Sequence, residues 1–555
     1  MMRPYVHEPF NDLLRQAVAS WALSSPPQDL RWEVPKEASF GDLSCPIAFK
    51  LASRQRQPPQ QLARQLVTLL QDLLRPSPLA GLVERLEAQG GFVNLFLSRQ
   101  ALTQVLRHIN RARGWYGTSH LGGGHAVLIE FVSANPTGPL SVAHGRQAAV
   151  GDALARILRS QGSRVRVAYY LNDEGRQIDL LGQSLRARYL EQLGRPASFP
   201  EDGYQGTYVM TSAKALCRDH KDTLLDKPLE WFSEQGMKEQ LTEIKRDLAR
   251  FGLRFDRWSS QRWLRTSGRI DAVLERLRAR GALYASGGAI WFASTRFGDD
   301  KDRVVRKQNG ELTYLAPDMA YHDWKFQRGY DQLINLWGPD HHGYIARLKA
   351  AVTALGLPAE RLVIRIVQLV TLSRKGTPVP MSKRQGEFVT FREVLDEVGV
   401  DATRFFYLMR TMDSHLDVDL ELAKSQSNEN PVYYVQYAHA RIWSIVAYAR
   451  TRIPWTKRWG RSDLNRLVEP AERRLIRQLF QFPIVVGACA AALEPHGLTT
   501  YLQRLAELFH VFYDTHRVIS EDVALSRARL ALIGATRWVL ANGLGLLGVS
   551  APTRM

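Results

Sequence analysis

One stretch limits the folds open to this chain. Across residues 126–158 a short apolar run gives way, through two proline-bearing turns, to a helix. Ala126–Val132 is rich in β-branched side chains. Gly122-Gly123-Gly124 precedes it, and Asn135-Pro136 and Gly138-Pro139 follow, which predicts a buried strand and then a turn. Beyond it Val142, Ala149, Ala153, Leu154, Ile157 and Leu158 recur at helical spacing. A helix that begins straight after a buried strand aims its unpaired backbone N–H groups, and the positive end of its dipole, above the sheet edge. That is a place for phosphate. His144 falls in the first turn. A histidine there is either a cap or packed polar residue, or a donor to a phosphate oxygen.

A second stretch, Val379–Thr390, is a basic, glycine-bearing loop between apolar segments. Its Lys383 is a flexible point charge able to swing onto the phosphate of a leaving group. Together the two resemble the signatures of the class I aminoacyl-tRNA synthetases, His-x-Gly-His and Lys-Met-Ser-Lys. Here they are written Ser141-Val142-Ala143-His144 and Pro380-Met381-Ser382-Lys383.

Length and composition set the frame. The 555 residues suffice for three or four domains, and a hydrophobic content of 45% describes a soluble globular protein. The formal net charge of +19 implies a basic face suited to a phosphate backbone. Cys45, Cys217 and Cys489 are far apart with no C-x-x-C pairing, so neither a structural metal nor a disulfide framework is expected, consistent with the cytoplasm. The N-terminus lacks an apolar signal core, and the most apolar stretch, Ile484–Leu493, is too short to span a bilayer. No membrane association is expected.

Along the chain, residues 1–112 form an α+β module with helices expected over Phe10–Leu23 and Pro59–Leu74. Gly90–Leu97 reads as a strand, and Phe40–Phe49 as a turn running into a helix. From 113 to 425 strands and helices alternate, which predicts a parallel, Rossmann-like sheet with crossover helices. Within it Ser163–Gln177 reads as a second strand and its loop, and about 180–280 as a charged, helical insertion broken at Pro200–Gly203. Gln332–Gly343 supplies another buried strand, with Gly338, Asp340, His341 and His342 just past its end, where open α/β sheets bind ligands. Neighbouring histidines point apart and rarely chelate together, so contact with a ligand is the stronger reading and no metal is assigned. Residues 426–555 are all-helical. Asn430-Pro431 opens a helix whose stripe is Val435, Ala438, Ile442, Ile445 and Ala449, and Arg441, Arg450, Arg452 and Arg517 fall on the outer face of the bundle.

Within class I the chain resembles the arginyl-tRNA synthetases over nearly its whole length. The resemblance rests on Ser133–Leu140, Tyr170–Ile178, Phe297–Val304, Asn430–Arg441 and the ending Gly543–Pro552. It implies an N-terminal domain that approaches the tRNA elbow, a catalytic domain and a helical anticodon-binding domain. It further implies that L-arginine and ATP, with Mg2+, give arginyl-adenylate, and that arginine then passes to tRNA(Arg), with activation requiring bound tRNA. Glu130, Asn135, Tyr314 and Asp318 stand where the family holds arginine. His144 and Lys383, with Ser141 and Ser382, stand where it performs catalysis. Ala143, Gly145, Gly338, Asp340, His341 and Met381 join His144 and Lys383 around ATP. Tyr314 and Asp318, four apart, share a face if their stretch is helical. A monomer is expected.

Three positions depart from the signatures: Ser141 replaces the first His, Ala143 the Gly, and Pro380 the first Lys. A methyl group at 143 crowds an adenine lying on the backbone. Removing a charged partner of the transition state costs about 1–3 kcal/mol where nothing compensates. These departures leave one rival reading, a paralogue that binds tRNA or arginine without charging. Other class I ligases fit less well. No Cys/His zinc set suggests the cysteine enzyme, and the helical C-terminus and the Tyr314/Asp318 pair speak against the glutamate enzyme.

Overall fold

The computed structural model describes residues 7–21, 30–35, 37–379, 389–453 and 462–555. The N-terminal region contains α1 (Glu8–Ala19), β1 (Leu43–Cys45), α2 (Ile47–Gln55), α3 (Pro59–Leu74), β2 (Val83–Gln89), β3 (Phe92–Leu97) and α4 (Arg99–Ala112). Helix α3 has the bounds its Pro58-Pro59 opening implies; α1 stops at Ala19, and Leu23 lies outside the described residues. Phe40–Phe49 is more than a turn into a helix. Leu43–Cys45 is fully buried and pairs antiparallel with β3, so a strand intervenes before α2. Gly90 and Gly91, both at positive φ, make the β2–β3 turn, and the strand starts only at Phe92.

The middle region begins with β4 (Ala126–Glu130), α5 (Val142–Ser160), β5 (Arg164–Leu171), α6 (Arg176–Gln192), α7 (Thr207–His220) and α8 (Leu229–Arg250). Then follow β6 (Arg257–Ser260), α9 (Gln261–Thr266), α10 (Arg269–Ala279), β7 (Leu283–Ser286), β8 (Ala289–Phe292) and β9 (Arg303–Arg306). It continues with α11 (Leu315–Phe326), β10 (Gln332–Trp337), α12 (Ile345–Ala354), β11 (Leu362–Ile366), β12 (Val370–Arg374) and β13 (Thr377–Pro378). It closes with α13 (Phe391–Val398), α14 (Val400–Tyr407), β14 (Leu416–Asp419) and α15 (Leu420–Lys424).

Five of these strands form a parallel sheet in the order β11-β10-β4-β5-β6. β4 is central, and the order reverses between β4 and β10. That is the switch point at which doubly wound sheets open a crevice for ligand. The stretch 180–280 is interrupted by β6, an edge strand of this sheet. Its sequence, Arg-Trp-Ser-Ser, has no apolar run. It is held instead by pairing with β5 and by Trp258 stacked on Tyr169 at 4.2 Å between ring centres. β7, β8 and β9 form a separate antiparallel sheet.

The C-terminal bundle is α16 (Pro431–Arg452), α17 (Pro470–Ala492), α18 (His496–Thr515) and α19 (Val523–Leu547). Asn430 caps α16 by accepting the N–H groups of Val432 and Tyr433, as Asn-Pro predicts. Val435, Ala438, Ile442, Ile445 and Ala449 are all buried. Arg450, Arg452 and Arg517 are exposed, while Arg441 is half-buried with its guanidinium over the ring of Tyr437. Helix α17 extends the apolar stretch 484–493 to 23 residues, and α17 and α19 are each long and apolar enough to cross a membrane. Here they pack in the bundle, joined by a buried Arg529–Glu472 ion pair of 2.8 Å.

Candidate active site

The switch point holds a cleft of about 1200 Å³. Its wall on the β4 side is the turn between β4 and α5, where Val132 and Ser133 take positive φ, a conformation that costs a β-branched residue energy and bends the chain sharply out of the sheet. Ser141 is the N-cap of α5 and His144 its third residue. The Ser141 backbone N–H donates to His144 Nδ1 at 3.2 Å, and Ser141 Oγ lies 3.0 Å from the same nitrogen. An Nδ1 that accepts from an N–H carries no proton, so the neutral ring keeps its hydrogen on Nε2 and remains a donor there. Ser141 thus orients the histidine it accompanies. Arg146, two residues on and fully buried, anchors the helix by donating to the carbonyls of Gln368 at 2.9 Å, Thr411 at 2.8 Å and Ser414 at 2.8 Å.

Glu130, Asn135, Tyr314 and Asp318 all line this one cleft, and so do Ser141, His144, Gly338, Asp340 and His341. Tyr314 caps α11 instead of lying within it; the residue is 70% exposed, and the Asp318 N–H donates to its carbonyl. Asp318, in the first turn of α11, accepts a hydrogen bond of 2.7 Å from the Tyr344 hydroxyl. Burial, and then the nearby Glu130 carboxylate, push Asp318 up to about 6, against the pull of Tyr344 and Lys325. Asn135 donates to Gln177 Oε1. Asp340 and His341 are exposed on the turn after β10, 3.4 Å apart.

Two positions expected around ATP lie elsewhere. Ala143 does not line the cleft. Gly145 is turned away from it: a Cβ on this residue would sit 2.4 Å from Phe391 and 3.0 Å from Tyr407. Its missing side chain lets α13 and α14 close on α5. Gly145→Ala is therefore expected to destabilise the fold by about 1–3 kcal/mol, read as a lower midpoint of thermal unfolding. An unchanged midpoint would show that Phe391 yields freely.

Met381, Ser382 and Lys383, with Pro380, lie outside the described residues, but both ends of their segment are fixed. The Val379 N–H donates to Leu372 O at 2.8 Å, Thr390 bridges Ser141, and the Phe391 N–H donates to Leu140 O at 2.7 Å. The chain therefore re-enters the described fold beside the first signature.

Sequence reasoning missed a buried polar cluster behind the cleft. Lys325 Nζ donates to Glu130 Oε2 at 3.0 Å and to Asn335 Oδ1 at 3.1 Å, and Asn335 Nδ2 lies 2.8 Å from His322 Nε2. The spacing of Asp318, His322 and Lys325, i, i+4 and i+7 on α11, was the available signal. Asn172 Oδ1 and Tyr321 Oη, on residues lining the cleft, are buried with no hydrogen-bond partner among the described residues. Each orphaned group costs about 1–3 kcal/mol, so a polar ligand that met them would be welcomed. The chemistry on offer is an anionic, hydrogen-bonding pocket beneath a helix N-terminus.

Comparison with known proteins identifies the set of parts. Residues 8–97 match the family model for the arginyl tRNA synthetase N-terminal domain. Residues 110–413 match the class I (R) tRNA synthetase catalytic domain, and 435–555 the DALR anticodon binding domain. The chain is 46% identical over 538 residues to an arginine–tRNA ligase of Desulfosudis oleivorans, with 95% of each chain covered. It is 45% identical to one of Geobacillus thermodenitrificans, with 99% of each covered. Among solved structures it is similar to a putative arginyl-tRNA synthetase of Campylobacter jejuni (TM-score 0.77, 32% identity, 83% and 100% coverage). The Thermus thermophilus arginyl-tRNA synthetase shares the fold (TM-score 0.79, 24% identity, 99% and 100% coverage). With a cleft at the switch point, the first signature on its wall and three family models matched in order, this chain belongs to the arginyl-tRNA synthetase family.

Proposed function

We infer that this chain is an arginine–tRNA ligase. A carboxylate oxygen of L-arginine attacks the α-phosphorus of ATP, pyrophosphate leaves, and the arginyl-adenylate gives its acyl group to the terminal hydroxyl of tRNA(Arg) with release of AMP. The observation that carries this reading is the pairing of Glu130 and Asp318 on the cleft wall. Two carboxylates on one cleft wall suit a planar cation with several donors. In this reading Glu130, Tyr314 and Asp318 receive the guanidinium and Asn135 the amino-acid end, while the orphaned Asn172 and Tyr321 atoms gain partners.

ATP, supplied as its Mg2+ complex, lies under the α5 N-terminus against Gly338, Asp340 and His341. His144, through Nε2–H, and Lys383 stabilise the charge that grows on the phosphates. Ser141 fixes the tautomer that His144 needs, which supports an active enzyme over a silent paralogue. The domain limits that fit are 1–112, 113–425 and 426–555, and the protein acts as a cytoplasmic monomer.

Transfer of labelled arginine to purified cognate tRNA, alongside pyrophosphate exchange with and without that tRNA, tests the reading. Charging is expected, with exchange only when tRNA is present. Retained tRNA binding without charging would instead establish the paralogue.

A further inference from the structure

Lys325 belongs to neither signature, yet it lies at the centre of the buried cluster. It is fully buried, and its partner Glu130 comes from a strand 195 positions earlier. The hydrogens in the cluster have one possible arrangement. Lysine only donates, so Nζ gives one bond to Glu130 Oε2 and one to Asn335 Oδ1. With the Asn335 oxygen so used, its NH2 group faces His322 Nε2, which must accept. His322 therefore carries its proton on Nδ1 and donates it to the Asp318 carbonyl at 2.8 Å. The histidine is neutral, and burial also holds its pKa well below the ordinary value.

This arrangement fixes the charge of the pocket. The Glu130 carboxylate and the Lys325 ammonium sum to zero. His322 is neutral, and the hydroxyls of Tyr170, Tyr321 and Tyr344 are kept protonated by burial. Among the buried groups one negative charge remains, on Asp318, and one guanidinium balances it; Glu201, Asp202 and Asp340 also line the cleft but are exposed, and Asp202 pairs with Arg176.

We propose that Lys325 is a positioning residue that sets the specificity of the pocket: it grips one oxygen of Glu130 and cancels its charge, so that the site takes a single cationic side chain. The proposal rests on arginine being the substrate. Without Lys325, Glu130 and Asp318 would share a poorly hydrated pocket as like charges, and one of them would take up a proton at higher pH.

The test is Lys325→Met in the full-length enzyme with cognate tRNA, following kcat/KM for arginine against pH. KM for arginine at neutral pH is expected to rise about 10-fold, with KM for ATP unmoved. The acid limb of the profile should move up by about one pH unit. A lysine that only packs would change the unfolding midpoint and leave that limb in place, and this result overturns the proposal. Should Lys325→Met fail to fold, Lys325→Gln keeps a donor for Glu130 Oε2 without the charge. The limb must again rise relative to wild type, and a stationary limb overturns the proposal there too. Absence of charging by the wild-type protein is a separate outcome that overturns the ligase reading itself.

Discussion

Asp318→Asn is expected to raise KM for arginine roughly 100-fold while kcat falls much less. In the proposed reading this carboxylate is the one buried, uncompensated charge facing the guanidinium, and removing one partner of a desolvated charge pair costs about 2–5 kcal/mol. The contact exists in the ground state as well as the transition state, so the loss falls on KM. The amide keeps the size of the side chain, and Tyr344 can still donate to its oxygen, so folding should survive.

The same residue gives the enzyme a pH dependence whose sign follows from its environment. In the free enzyme Asp318 is pushed up to about 6 by burial and by Glu130. Only the ionised form attracts a guanidinium, so affinity for arginine is full above that value. Below it, affinity should fall about tenfold for each unit of pH, until the lower pKa of the bound state is reached. Titrating arginine affinity from pH 5 to 8 checks this. A flat profile, or an Asp318→Asn enzyme with normal KM, would place the guanidinium elsewhere.

A second large effect is expected far from the chemistry. Arg404, on α14, is buried, with its guanidinium 4.3 Å from the centre of the Phe251 ring. It donates to Phe251 O at 3.0 and 2.7 Å, to Leu547 O at 3.3 Å, and pairs with Asp152 at 2.9 Å. One side chain thus ties the ends of α8 and α19 to the flank of α5. Gly548, just past α19 at φ +71°, leaves room for it; a Cβ there would meet Nη1 at 2.3 Å. Arg404→Met should cost about 3 kcal/mol by stranding these carbonyls and weakening the hold on Asp152, which keeps Arg156. For a chain of 555 residues that corresponds to a fall in Tm of roughly 2–3 °C. Arg404→Lys restores the charge but not the planar fork and should recover only part of the loss. A Tm within a degree of wild type for Arg404→Met would sink this account.

What the sequence disclosed was local. The strand–turn–helix at 126–158, the helix opened by Pro58-Pro59 and the cap at Asn430 are written in neighbouring residues, and the structure has them in place. Four residues that line the cleft, Glu130, Asn135, Tyr314 and Asp318, were reachable by resemblance. Lys325 was not, because a lysine in the last turn of a helix ordinarily faces solvent, and its burial depends on Glu130 and Asn335 from two other elements. β6 was missed because an edge strand of arginine, tryptophan and serine has no periodic signature. Gly145 looked like a ligand glycine from its place in the motif, whereas its role is set by an aromatic ring 246 positions later.

Helix α5 is the one element that both presents His144 to the cleft and packs along the C-terminal bundle through α17 and α19. Nineteen residues make a rod about 28 Å long. A sideways push of about 1 Å on such a rod tilts it by only about two degrees, which is within what packed helices accommodate. The bundle that matches the anticodon-binding domain therefore has a stiff lever on His144. Leverage of this kind works in both directions. If seating tRNA on the bundle favours the reactive tilt, then arginine and ATP in the cleft must tighten the grip on tRNA by the same free energy.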